Sequence, residues 1–148
     1  MASSTPHVIL LQVNGLERPV FEKLANGAAI KPGHLLDSDG TDVVPHAVAK
    51  AAVVKMVAIE HGFRETAGTT VNIETAYPDN DTVLFIYPQT GDLVYMILKS
   101  GENVAAGAAL EAATGGELQA FTDGFVIGHA EAAVNAAGAA ARIKVRIG

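Results

Sequence analysis

The stretch 87-YPQTGDLVYMILKSGENVAAGAALEAATGGELQA-120, from Tyr87 to Ala120, decides the fold class of this chain. Gly91-Asp92 punctuates two apolar runs, Val83 to Tyr87 and Leu93 to Leu98, and Ser100-Gly101 ends the second. Short runs rich in β-branched and aromatic residues, bounded by Gly, Asp and Ser, are strand and turn signals. Val104, Gly107 and Leu110 follow at three-residue steps, which predicts a short strand, a tight turn and a return strand.

Upstream, Ile30, Gly33 and Leu36 repeat that phrase at a constant offset of 74 residues, with Asp37 in the place of Glu111. Lys31-Pro32-Gly33 reads as a type II turn, Pro fixing the second position and Gly supplying positive φ at the third. Two copies are too few for a solenoid, so the expectation is one β-turn unit used twice, with Pro32, Gly33, Gly91 and Gly107 as structural turns. Downstream, Phe125 to Ala130 and Ala141 to Ile147 read as strands; in the last, Arg142, Lys144 and Arg146 alternate with Ile143, Val145 and Ile147, predicting a basic face in solvent. Pro45 to Ile59 reads as a loop or helical turn through Ala52 and then a strand, and Thr70 to Ile73 as another short strand. The fold class expected is therefore mainly β with little helix.

Ahead of this lies HVILLQV, an apolar run with no polar alternation. It is either a central strand of this domain or an arm that adds a strand to another protein's sheet edge. Left without a partner, such a strand is an aggregation hazard.

Composition bounds the function. The chain has 148 residues, 49% of them hydrophobic and only 5% aromatic, so one domain must build its core from small side chains. A net charge of −6 with no basic run argues against binding nucleic acid through its phosphates. The absence of Cys fits a reducing compartment and excludes thiolate chemistry. No basic n-region precedes Val8 to Leu11, which is too short for a signal core or a membrane span, so a soluble protein made in a cytoplasm is expected.

No catalytic or metal pattern emerges. Asp37-Ser-Asp39-Gly-Thr-Asp42 has its Gly at the fourth position where an EF-hand loop needs the sixth, and reads as a polar turn. His7, His34, His46, His61 and His129 show no i, i+4 pair, and no Ser sits in a strand-Ser-helix elbow. The expectation is a protein that is not an enzyme and needs no cofactor or metal.

Taken in order, Ala58-Ile-Glu60, Tyr77-Pro-x-x-Asp81-x-Val83, Gly91-Asp-Leu-Val-Tyr95 with Ile97-Leu98, Asn103-Val104 through Gly107 to Leu110-Glu111, Gly116-Glu-Leu118 and Ala141-Arg-Ile-x-Val-Arg-Ile147 form a string of phrases. That string resembles the capsid cement, or head decoration, proteins of tailed double-stranded DNA bacteriophages, of the lambda decoration type. The resemblance covers roughly residues 27–148. It implies a compact β-barrel or β-tulip-like domain at 27–148, behind an extended N-terminal arm and connecting segment at 1–26. It further implies a homotrimer on the outer surface of the virion, at three-fold and quasi-three-fold positions of the expanded head. There the protein would hold the major capsid protein against DNA pressure, with no contact to nucleic acid or membrane. The arm is mapped to Pro6, His7, Val8, Ile9, Leu10, Leu11 and Val13. GDLVYMILKSGENVAAGAALEA is also similar to the phrases of biotinyl and lipoyl carrier domains, but no Lys follows Glu111 before Lys144. A base for a head fibre or a host-surface adhesin is the remaining alternative, with binding loops around Thr66 to Thr70 or Pro78 to Asp81.

Overall fold

The computed structural model describes residues 6–27, 29–61 and 72–148. Residues 1–5, the loop Thr66 to Thr70 and the start of the expected Thr70 to Ile73 strand lie outside them. Ile73 itself is in a turn, where the Thr75 N–H donates to the Asn72 carbonyl at 3.0 Å. The described residues form short strands and one 3₁₀ turn at Thr114–Gly116. The first six strands are β1 (Leu10–Gln12), β2 (Phe21–Leu24), β3 (Leu36–Ser38), β4 (Val43–Pro45), β5 (Val57–Ala58) and β6 (Thr82–Ile86). They are followed by β7 (Leu93–Leu98), β8 (Asn103–Val104), β9 (Ala109–Ala112), β10 (Leu118–Ala120), β11 (Val126–Ala130), β12 (Val134–Asn135) and β13 (Ala141–Ile147).

The protein is mainly β, and its centre is a closed barrel of β7, β10, β9, β11 and β13, in which β13 returns to pair with β7. The β7–β13 seam is antiparallel from Leu98↔Ala141 to Leu93↔Arg146. Residues directly opposite in such a pair share a face. Met96 with Ile143 and Val94 with Val145 therefore point together into the barrel, where Leu110, Leu118 and Ile127 complete a core of fully buried side chains. A barrel this small is filled by side chains rather than open.

A second, three-stranded sheet, β2-β6-β5, and the hairpin β3–β4 carry their own core of Ile30, Leu36, Val43, Tyr77, Val83 and Phe85. Chain from this part covers the outer side of β7. Gly33 lies against the Tyr95 carbonyl, and Leu35, Val57, Ile73 and Ile86 pack with the barrel residues. All six residues of β7 are consequently buried, which explains its lack of polar alternation.

Several expectations are corrected by this arrangement. The two apolar runs around Gly91-Asp92 are strands as expected; they lie in different sheets, so the turn passes the chain between layers. After the Gly107 turn β9 enters the barrel while β8 pairs with β12, so these two strands do not return on each other. The strand in Pro45 to Ile59 shrinks to β5. β2, inside the segment assigned to the arm and connection, is zipped to β6 from Phe21↔Phe85 to Leu24↔Thr82, so residues from 21 onward are part of the folded β structure. The outward face of β13 is not uniformly solvated. Lys144 is exposed, but the Arg142 guanidinium is covered and donates to Glu74 Oε1 at 2.7 Å and to the carbonyls of Pro32 and Ile73 at 2.6 Å.

The repeated turn is real. The His34 N–H donates to the Lys31 carbonyl at 3.0 Å with Gly33 at φ +93°, and the Ala108 N–H donates to the Ala105 carbonyl at 3.2 Å with Gly107 at φ +82°. Both place Gly at the third position in the left-handed region, as a type II turn requires. The acidic residues that follow have diverged: Glu111 is buried, while Asp37 is exposed.

Candidate functional site

The N-terminal segment is the candidate site, and the structure places it against its own barrel. β1 pairs antiparallel with β7 through Leu10↔Val94 and Gln12↔Leu93, with a register irregularity between them. Ile9 is fully buried in the barrel core; its carbonyl accepts the Tyr95 N–H at 2.7 Å and its N–H donates to Glu60 Oε2 at 2.9 Å. Leu10 and Leu11 are half-buried against the same core, Pro6 is half-buried, and His7, Val8 and Val13 are exposed. Of the two readings of this apolar run, the described chain takes the strand of its own domain rather than a free extension. The reason is physical: Ile9 needs a socket, and β7 has an unpaired edge beside it, because β10 joins β7 only at Leu118↔Leu98.

Behind β1 the chain is fastened to the turn that precedes β7. Asp92 is fully buried, and its carboxylate accepts the Asn14 N–H at 2.8 Å, the Gln89 N–H at 2.9 Å, and Arg18 Nε and Nη2 at 2.7 and 3.1 Å. Burial alone pushes this carboxyl up, but the Arg18 guanidinium and the two backbone donors outweigh it and hold the group below the ordinary range. Gly91 closes the turn with its α-carbon against the Asn14 side chain. The sequence reading took Gly91-Asp92 as punctuation and missed the clamp, because Asn14 and Arg18 lie more than 70 residues upstream.

The other acidic anchor, Glu111, was read only as the end of a turn phrase. It is fully buried at the start of a network in which its carboxylate accepts from Gln119 Nε2, Thr122 Oγ1 and the Gly124 N–H at 2.8 to 2.9 Å. Burial raises this group, and the three donors more than compensate, holding it at about 2. The loop so fixed carries Phe121 and Phe125, both exposed.

The remaining sequence candidates have local roles. Asp39 accepts the Thr41 and Asp42 N–H groups and the Asn26 side chain, so its oxygens hold the β3–β4 turn. Among the described residues no three His, Asp or Glu groups converge as metal ligands. Lys144 lies mid-strand in β13, not at a hairpin tip. No described helix is long and apolar enough to cross a membrane.

No protein-family model matches the chain, and no curated protein matches it.

Proposed function

We propose that the protein is a capsid decoration, or cement, protein that binds the outer surface of an expanded phage head as a trimer and stabilises it against DNA pressure. The observation that carries this reading is where the apolar surface lies. Ten large hydrophobic side chains are exposed among the described residues, and six of them, Val8, Val13, Leu16, Val20, Phe21 and Leu24, fall in the N-terminal segment mapped as arm and connection. Exposed apolar side chains gathered in one segment mark an interaction surface. The net charge of −6 suits an exterior protein that stays clear of the genome.

The barrel closes through β7–β13 without β1, so the strand leaves without opening it. In the proposed mechanism β1 exchanges the β7 edge for a sheet edge of the major capsid protein. The hydrogen bonds lost on one side are regained on the other, and Val8 and Val13 become buried. Three arms on one trimer act at high effective concentration, which makes a short strand sufficient.

The test is sedimentation with expanded and unexpanded heads. The intact protein is expected to bind expanded heads selectively, and the Val8→Asp, Val13→Asp double variant, altered only at exposed positions, is expected to fold normally and stay in the supernatant. Full occupancy by that variant would overturn the arm assignment; a monomeric protein that ignores heads of both kinds would overturn the function.

A further inference from the structure

Asparagine followed by glycine is prone to ring closure on its own main chain, because glycine has no side chain to hinder attack by its nitrogen. The sequence has two such pairs, Asn14-Gly15 and Asn26-Gly27, and both asparagines are exposed to water. Their main-chain surroundings differ in the feature that controls the reaction.

The attacking atom is the glycine nitrogen, and on losing its proton it shares the negative charge with the asparagine carbonyl oxygen. At the first pair that oxygen accepts Arg18 Nη2 at 2.8 Å, so a guanidinium stabilises the anion. The Gly15 N–H donates to no group among the described residues, and nothing lies within 4 Å of the place a Cβ on Gly15 would occupy. At the second pair the Gly27 N–H donates to Asp79 Oδ1 at 2.8 Å. That hydrogen bond holds the proton in place. A carboxylate is far too weak a base to remove it, and its negative charge opposes the anion.

We propose that Asn14 is a site of self-modification that loosens the N-terminal segment, while Asn26 is spared. The Gly15 nitrogen attacks Asn14 Cγ; the N–Cγ bond forms, the Cγ–Nδ2 bond breaks, and ammonia leaves carrying the proton lost from Gly15. Water then opens the succinimide at either carbonyl, giving aspartate or isoaspartate. In the parent, Asn14 Nδ2 donates to the Thr90 carbonyl at 3.0 Å and the Asn14 N–H donates to Asp92. Neither product carboxylate can donate to Thr90, and each adds a negative charge beside the buried Asp92. Isoaspartate also lengthens the main chain by one carbon between β1 and Arg18. Retention of the segment then falls to Ile9 and the two β1–β7 pairings. The inference rests on the Asp92 clamp and not on the decoration reading.

The experiment incubates the full-length protein at neutral pH, folded and in parallel unfolded in urea, and follows deamidation at each asparagine by peptide mass spectrometry. In the folded protein Asn14 is expected to convert about tenfold or more faster than Asn26. In urea the two should convert alike, since the dipeptide is the same. Asp79→Ala, at an exposed side chain, should speed Asn26 about tenfold. In the modified fraction, isolated by its added negative charge, the Tyr95 amide that donates to the Ile9 carbonyl should exchange with D₂O about tenfold or more faster. The proposal is overturned if Asn14 stays intact, if Asn26 keeps pace with it in the folded protein, or if the preference persists in urea. An Asn26 rate unchanged by Asp79→Ala, or a Tyr95 amide no faster in the modified fraction, would overturn it as well.

Discussion

At the scale of single residues, stability depends on a few buried polar groups whose partners are distant in sequence. Glu111→Gln replaces one carboxylate oxygen by an NH₂ facing Gly124 N–H or the Gln119 and Thr122 donors. It is expected to cost about 2 kcal/mol in urea unfolding, the usual penalty for stranding buried donors of a charged acceptor. Acid should act in two windows. Burial, with the Arg142 and Lys31 charges adding to it, lowers His34 from 6.5 to about 4, so the unfolded chain takes up this proton first and stability falls as pH drops from 6.5 toward 4. Glu111, held at about 2 against an ordinary 4.5, contributes stability that is complete above pH 4.5 and lost as pH falls toward 2. Thermal melts across pH 2 to 7 should therefore decline throughout, and His34→Gln should flatten the upper window while leaving the lower one. A His34→Gln profile identical to the parent's would refute the assignment.

At the scale of elements, the two type II turns separate strain from crowding. Gly107→Ala meets nothing within 4 Å and should cost only the left-handed backbone penalty, about 1–2 kcal/mol. Gly33→Ala adds a collision with the Tyr95 carbonyl and should cost clearly more, so equal losses in denaturant unfolding would contradict the seating of that turn. Both turns were legible because Pro-Gly and the 74-residue repeat are local signals. β13 was legible over its whole span for the same reason: alternation from Ala141 to Ile147 fixes which residues share a face. What alternation does not specify is the cover. Arg142 was expected in water and instead ties the 31–34 turn and the Ile73 carbonyl to the barrel. Pairing was equally illegible, since β7 takes partners from both ends of the chain, and no local pattern encodes which edge a strand finds. The same gap hid the Asp92 clamp and left the apolar run at residues 7–13 open between strand and arm.

At the scale of the whole molecule, a closed barrel carries a lateral sheet and an N-terminal strand that is not needed for closure. Deleting residues 1–13 should leave the barrel's far-UV signature intact while lowering stability by roughly 1.5–3 kcal/mol, the contribution of burying one aliphatic side chain such as Ile9. Collapse of all β signal would show that β1 is part of the closure. The order of attachment along the chain also has a mechanical meaning. A load entering at the N-terminus is met first by Ile9 and the two β1–β7 pairings, next by Asn14 and Arg18 on Asp92, and only afterwards by β2 on β6. The segment therefore behaves as a series of fuses, and tension yields there while the barrel keeps its shape.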